Sequence, residues 1–268
     1  MRICFRMSCP AATRVRASCV REVSDTDGVQ QFASRRITLL AVFLLAITLA
    51  GTALAGPSDE AEAAYDRGDY ATAMRMWQPL ANAGSAIAQG SLGVMYAKGQ
   101  GVQQDYAEAI KWFRKAADQG NANAQFSLGL MYWNGQGVPK DYVEAVKWYR
   151  KAADQGYPDA QHNLGVMYAD SRGVPQDYAE AIKWWREAAD QGYGPAQHAL
   201  GVMYVNGQGV PKDYVEAHKW FILAASPYQA SEAENRGKAV TNRDWVAGKM
   251  TPAQIAEAQK RAREWKPK

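Results

Sequence analysis

Cysteine is missing from most of this chain of 268 residues, because Cys4, Cys9 and Cys19 all lie in the first 55. Residues 56–268 therefore offer no thiol nucleophile, disulfide or cysteine-based metal site. They also lack an excess of either charge. Residues 1–55 hold 7 of the 31 Lys and Arg and 3 of the 27 Asp and Glu, which leaves 24 of each sign in the rest. A balanced charge lacks the basic footprint needed to bind a phosphate backbone, so no nucleic-acid partner is expected.

Motifs of known chemistry are also absent from the sequence. It contains no G-x-S-x-G, no H-E-x-x-H and no phosphate-binding glycine loop. Each recurring acidic residue belongs to a helix cap or a charged face, whereas a catalytic carboxylate pair needs two unlike environments in one cleft. His162 and His198 could bind a metal together, but no carboxylate recurs beside them at ligand spacing. The sequence therefore predicts no catalytic residue, no metal and no cofactor.

Residues 1–55 are interpreted as a leader that contains a secretory signal peptide. Arg35-Arg36 precedes an uncharged stretch from Ile37 to Ala50, and Ala53-Leu54-Ala55 supplies the small residues of a cleavage site. We predict cleavage after Ala55, release into the periplasm or the medium, and no membrane span thereafter. A retained membrane anchor is the alternative, because the apolar stretch approaches the ~20 residues that span a bilayer.

A unit of 36 residues repeats four times in the remaining chain. Its first half carries apolar residues at helical spacing, as in Leu92, Met95 and Tyr96. Gly99-Gln100-Gly101 then predicts a sharp turn. Ser171-Arg172 replaces Gly-Gln in the third unit, so a stiffer or differently shaped turn is expected there. The units start at Ala86, Ala122, Pro158 and Gly194.

The second half of each unit is bounded by signals for a second helix. Asp105 and Glu108 predict a capping box, in which each side chain accepts from the other residue's backbone N–H. Gly120 stands where a left-handed residue closes a helix. Equivalent residues recur in the other units, apart from a closing glycine in the last, so each unit is predicted to be a helix pair.

A helix pair cannot bury both faces alone, so neighbouring units must stack. Gly93 and its equivalents should let the two helices of a pair approach closely, opposite Ala109 and its counterparts. Recurring tryptophans should fill the layers between units. These are Trp112, Trp148, Trp184 and Trp220.

Two motifs identify the kind of repeat. The frame Q-x2-L-G-x2-Y from Gln89 to Tyr96, followed by A-x3-aromatic from Ala109 to Phe113, is close to the tetratricopeptide pattern. The 36-residue period and the ending K-W-[FYW]-R-[KE]-A-A-D-Q-G resemble the Sel-like repeat family, over roughly residues 86–226. The resemblance implies an all-α fold, a right-handed α/α solenoid of helix-turn-helix repeats with a C-terminal helical cap.

The predicted organisation begins with the leader. Residues 1–28 make it longer than a normal signal-peptide n-region, so we interpret them as lying before the true translation start, for example at Val29. A shortened turn, Arg67-Gly68-Asp69, marks a partial repeat before the four complete ones. The segments are a leader (1–55), a partial repeat (56–85), four repeats (86–121, 122–157, 158–193 and 194–228) and capping helices (229–268).

By resemblance, the first helices of the repeats line a concave groove that binds a protein or peptide. Recurring residues serve the stack, so unit-specific residues at groove positions are the candidates for binding, and aromatic rings are favoured anchors. Packing of the same rings beneath a neighbouring helix is the alternative. The candidates are Phe126, Trp133, Asn134, His162, Asp170, His198 and Asn206.

The resemblance also implies a role. We expect an exported, non-catalytic scaffold in cell-envelope assembly, secretion or host interaction. A protein that binds or modifies cell-wall glycan (peptidoglycan) is the alternative, because aromatic rings beside Asn and Asp suit sugars, although no acid/base pair is present.

Overall fold

The computed structural model describes residues 56–226 and 233–268, which form twelve α-helices and no strand. The predicted signal peptide, its cleavage site and the start at Val29 lie outside the described residues. The helices are α1 (Pro57–Asp66), α2 (Tyr70–Asn82), α3 (Ala86–Lys98), α4 (Tyr106–Asp118), α5 (Ala122–Asn134), α6 (Tyr142–Ala153), α7 (Pro158–Ala169), α8 (Tyr178–Asp190), α9 (Gly194–Asn206), α10 (Tyr214–Ala224), α11 (Ala233–Ala247) and α12 (Pro252–Glu264).

The helices pack in chain order, each against the next, from α1 to α11. The tightest pairs are α3 with α4, α5 with α6, α7 with α8 and α9 with α10, which are the two halves of each 36-residue unit. The apolar clusters lie in the layers between and within these pairs. The predicted all-α solenoid of stacked helix pairs is confirmed.

The starts of the second helices differ in one respect from the prediction. Asp105 Oδ1 accepts a hydrogen bond from the backbone N–H of Glu108 at 2.9 Å, as expected. The Glu108 carboxylate, however, pairs with Lys111 Nζ at 2.7 Å instead of reaching back to the cap. The same pairing recurs in the other three units, so the second half of the predicted box is wrong there. In α12, by contrast, Thr251 and Gln254 form both bonds of the box.

The close approach within each pair also differs from the prediction. A Cβ atom on Gly93 would stand 2.5 Å from Cδ1 of Phe113, a distance that real contacts do not reach. The glycine therefore faces the aromatic ring one helical turn beyond Ala109, and the predicted partner is wrong. The other pairs are Gly129 with Tyr149, Gly165 with Trp185 and Gly201 with Phe221.

A buried glutamine ties each unit to its neighbours. Gln89 is buried, and its Nε2 donates to the carbonyl oxygen of Ala81 at 3.0 Å, near the end of the preceding second helix. Its Oε1 accepts from Gln119 Nε2 at 2.7 Å. Gln125 and Gln161 repeat both contacts. Each amide thus adds a second hydrogen bond to a carbonyl oxygen at a helix end, which already accepts from the N–H of the following glycine, as Ala81 does from Gly84 at 3.1 Å.

The turn of the third unit keeps the shape of the others. Ser171 has φ +57°, close to the +69° of Gly99, and Arg172 N–H bonds the Met167 carbonyl at 3.0 Å as Gln100 N–H bonds that of Met95. The expected difference in shape is confined to the end of the helix, because α7 ends at Ala169, one residue earlier than the other three first helices, and Asp170 caps it. A left-handed conformation costs a non-glycine residue roughly 1–2 kcal/mol, so this turn is strained at Ser171.

The end of the array is covered by α11 and α12. Capping helices were predicted over residues 229–268, and the structure has Ala233–Ala247 and Pro252–Glu264, with residues 227–232 outside the described part. Helix α11 packs on α10 and α9, and α12 packs on α10. Val246 and Ala258 are fully buried beneath them. Arg261 of α12 also pairs with Glu216 of α10 at 2.7 Å.

Candidate partner-binding groove

Clefts follow one another along the first helices of the units. The first lies between α1, α3 and α5, the second between α3 and α5 with a floor from α4, and the third between α5 and α7. Their volumes are about 300, 260 and 230 Å³. We call this row of clefts the groove. It lies on the helices where the candidate residues were predicted.

Trp133 stands at the third cleft, together with Leu130, Asn134 and Asn163. Its indole ring is half-buried and meets the ring of Tyr142 edge-on, with 5.1 Å between the centroids. One edge of the indole is thus supported by the scaffold while part of it remains accessible. A rigid, partly exposed aromatic ring at a cleft is the kind of group that anchors a partner.

Two unit-specific residues of the strained turn complete the surroundings of Trp133. The guanidinium of Arg172 lies 4.8 Å from the centroid of the Trp133 ring, within the range of a cation–π contact. Arg172 also pairs with Asp170 at 3.2 Å, and both side chains are more than 40% exposed. The turn therefore presents a charge of each sign beside the indole.

Phe126 is placed less freely. Its ring is half-buried between Tyr149 and Tyr157, with centroid distances of 5.7 and 5.1 Å. Both neighbours are aromatic, so Phe126 contributes to packing between units as well as to the surface of the first helix. It remains a candidate anchor beside Trp133.

The two histidines occupy the position of Phe126 in the next two units. His162 packs between Trp185 and Tyr193, with centroid distances of 6.4 and 5.7 Å. His198 Nε2 lies 2.9 Å from Nδ2 of Asn242 in α11, so a capping helix reaches this end of the groove. Sequence reasoning had no signal for that contact, because it joins residues 44 positions apart.

The pKa of His162 is lowered to about 4, chiefly by burial and further by the charge of His198. The unfolded imidazole titrates near 6.5, so below that pH the unfolded state binds the proton more readily than the folded state. The stability supplied by neutral His162 is therefore complete above pH 6.5 and is lost as the pH falls towards 4.

We expect the free energy of unfolding to fall by roughly 2–3 kcal/mol on this account between pH 7 and pH 4. Denaturant titrations at several pH values measure it. His162→Phe is the matched control, because the preceding unit carries Phe126 at this position. An equally steep pH dependence in that variant would contradict the assignment to His162.

The remaining polar candidates lie at the turns that follow the first helices. Asn134 and Asn206 are exposed and donate to Gln136 and Gln208 at 3.4 and 3.1 Å. They occupy equivalent positions two units apart, so the structure brings Asn134 next to Trp133 but leaves Asn206 in a different part of the array. Of the predicted residues, Trp133, Asn134 and Asp170 belong to one local surface.

Comparison with known proteins identifies the repeat. The family model of the Sel1 repeat matches residues 86–121, 122–157, 158–193 and 194–226, more than half of the chain. A Sel1 repeat protein from Oxalobacter formigenes is 32% identical, with a TM-score of 0.60 over 73% of this chain and 86% of its own. This chain belongs to the Sel1 repeat family.

A second Sel1-like structure is a protective antigen present in uropathogenic Escherichia coli strains, which displays an SLR fold. It is 39% identical, with a TM-score of 0.56 over 66% of this chain, and the matched part spans 41% of the antigen's length. Among curated proteins, the comparison finds no match. Sel1 repeats typically form non-catalytic scaffolds for protein interactions.

In the part of the chain that the structure describes, no group of three or more His, Cys, Asp or Glu is placed to hold a metal ion. Among the described helices, none combines the length and apolar character needed to cross a bilayer. The groove of the Sel1 repeats offers aromatic and amide side chains for contact.

The first cleft of the groove was missed by sequence reasoning. Its walls include Tyr65 and Trp77 of the partial repeat and Ile87 of the first Sel1 repeat. Two signals were available in the sequence. Gly90 stands where the other three repeats carry a ring, and Ile87 stands where they carry Asn, Asp or Pro.

Proposed function

We propose that this Sel1 repeat protein is an exported, non-catalytic scaffold that captures a protein or peptide partner in its groove. The observation that carries the proposal is the surface around Trp133, a half-buried indole at a cleft, flanked by the exposed charges of Asp170 and Arg172. None of these three residues recurs at its position in another repeat. Stacking therefore does not require them, and a residue that stacking does not require is free to serve a partner.

The strained turn supports the same proposal. Ser171 adopts a left-handed conformation that glycine would adopt without strain, and glycine occupies this position in the other three repeats. Strain of this kind is found most often at functional sites. Here it accompanies the placement of Arg172 over the indole.

The setting that we propose is the cell envelope, in assembly, secretion or contact with a host. The predicted signal peptide supports export, and the protective antigen among the relatives supports contact with a host.

N-terminal sequencing of the exported protein should read Gly56 as its first residue, because the small residues before it form the predicted cleavage site. An intact leader on exported protein would contradict cleavage after Ala55.

A capture experiment tests the binding role. The wild-type protein and three variants are used to recover partners from envelope extract, with identification by mass spectrometry and titration of the recovered partner. Trp133→Ala and Phe126→Ala are expected to weaken binding by 2 kcal/mol or more, about 30-fold, because groove anchors contribute that much. Trp245→Ala is the matched control, since this indole is 53% exposed on α11, away from the three clefts of the groove.

Equal binding by the wild-type protein, Trp133→Ala and Trp245→Ala would contradict the groove assignment.

The glycan alternative is favoured by one observation, the amides of Asn134 and Asn163 beside the Trp133 ring. Sedimentation with purified peptidoglycan measures glycan binding, and a zymogram measures hydrolysis. Trp133-dependent binding to peptidoglycan, without capture of a protein, would replace the proposed partner by glycan.

A further inference from the structure

The cleft between α1, α3 and α5 is separate from the surface around Trp133 and has a different character. Its volume is about 300 Å³. It lies where the partial repeat meets the first complete one, a junction that the matched Sel1 repeats do not include. Its walls therefore combine residues of both parts.

The cleft exists because an aromatic ring is missing at Gly90. In the next three repeats this position carries Phe126, His162 and His198, each packed on rings of its own unit's second helix or of the following turn. A Cβ atom on Gly90 would meet only Asn121 Oδ1, at 3.9 Å. The space that a ring fills elsewhere is open here.

Part of the cleft wall is apolar and offers contact to a hydrophobic side chain, beside the polar lining residues Ser58, Ser91, Asn121 and Asn123. Tyr65 and Trp77 line one side, with their ring centroids 5.5 Å apart. Ile87 lines it as well and is 63% exposed, at a position where the other repeats carry Asn, Asp and Pro. Trp77 is only 4% exposed, and its indole N–H has no hydrogen-bond partner among the described residues.

The rim of the cleft is acidic. Glu62 and Asp66 line it, and none of the described residues that line it is basic. Helix α1 carries four acidic residues and no basic one along its whole length. A cation beside the inserted side chain would therefore be attracted, whereas an anion would be repelled.

From this juxtaposition we propose that the cleft binds a segment of a partner protein in which an aromatic side chain is flanked by Lys or Arg. The ring takes the space left at Gly90 between Ile87 and the Tyr65–Trp77 wall, and the flanking cations meet Glu62 and Asp66. This site lies beyond the surface around Trp133 and does not depend on it. A partner bound at both places would gain affinity from the link between the two contacts.

Three short peptides test the proposal by calorimetric titration of the purified protein. Acetyl-Ser-Arg-Phe-Arg-Ser-amide is the probe, and its two controls replace either the Phe by Ala or both Arg by Glu. The probe is expected to bind at least tenfold more tightly than either control, with an affinity that falls as salt rises. Failure of the wild-type protein to bind the probe, or equal binding of all three peptides, would overturn the proposal.

Variants of the protein locate the site. Gly90→Phe, the residue that the next repeat carries, should fill the cleft and reduce probe binding at least tenfold, whereas Gly90→Ala should leave it within twofold. The double variant Glu62→Gln/Asp66→Asn changes only exposed side chains, so the fold is kept, and it should remove most of the preference for Arg over Glu. Unchanged binding in both Gly90→Phe and the double variant would place the peptide elsewhere and overturn the proposal.

Two further measurements separate the outcomes. Trp133→Ala should leave probe binding unchanged, so failure of the capture experiment and failure of this one are distinguishable. Sedimentation of the protein alone tests whether another copy is the occupant, because Trp265 lies among basic residues at the C-terminal end. If the protein self-associates, and both Gly90→Phe and Trp265→Ala abolish the association, the cleft binds a second copy of this chain. That result would overturn the proposal of a different partner protein.

Discussion

Replacement of Trp112 by alanine is expected to lower the free energy of unfolding by about 3–5 kcal/mol, the usual range for a buried tryptophan. The side chain is 6% exposed and joins the cluster that contains Trp77, Leu92 and Met95, so it bridges the partial repeat and the first complete repeat. Lys115 Nζ lies 4.1 Å from its ring centroid and covers the outer face. Loss of the ring removes this contact and leaves a cavity between two units.

Two other tryptophans serve as the comparison. Trp148 recurs at the same position as Trp112 but is only half-buried, so Trp148→Ala should cost less than Trp112→Ala. Trp133 does not recur, and its contacts with Tyr142 and Arg172 lie at the surface. Trp133→Ala should therefore lower the free energy of unfolding by only about 1–2 kcal/mol. Denaturant titration followed by far-UV circular dichroism measures all three. A loss for Trp133→Ala as large as that for Trp112→Ala would mean that Trp133 belongs to the core.

Two glycines three residues apart on α3 give the second prediction. Gly93→Ala should destabilise the protein by about 1–3 kcal/mol, because the new Cβ would stand 2.5 Å from the buried ring of Phe113 and the ring must move. Gly90→Ala should be neutral or stabilise by up to ~1 kcal/mol, since the new methyl group meets nothing closer than 3.9 Å and alanine favours a helix. Thermal and denaturant unfolding of the two variants measures the difference.

A second substitution checks the physical cause. If the ring causes the loss, Phe113→Leu combined with Gly93→Ala should cost less than the sum of the two single changes, because the smaller side chain makes room for the methyl group. Additive losses would indicate that the methyl group does not clash with the ring. Equal stability of Gly93→Ala and Gly90→Ala would contradict the close helix approach itself.

The sequence alone was enough to predict the helices and their order. Helix ends depend on neighbours in the chain, so the acceptor at Asp105, the left-handed Gly120 and the Thr251–Gln254 box could be predicted from local spacing. The 36-residue period required equivalent packing in every unit, which predicted stacked helix pairs. Trp133 and its neighbours stood out for the same reason, because a residue that breaks the period is not needed for stacking.

The tertiary structure decided which residues face each other across each helix pair. Periodicity places Ala109 and Phe113 on one helical face, but only the crossing of the two helices decides which of them meets Gly93. Glu108 had two possible partners within reach, and the charge of Lys111 outcompetes the backbone N–H. These choices depend on distances between atoms that a repeat pattern does not contain.

The same limit applies to the binding surfaces. That Gly90 lacks a ring can be read in the sequence, but the cleft appears only where α1, α3 and α5 come together around it. The sequence also shows that Arg172 differs from the residues at its position in the other repeats. Its place over the Trp133 ring, however, depends on how two units pack together. Local spacing and the period determined the scaffold of this protein. The packing between units determined where that scaffold leaves space for a partner, because a cleft is formed by residues that are distant in the chain.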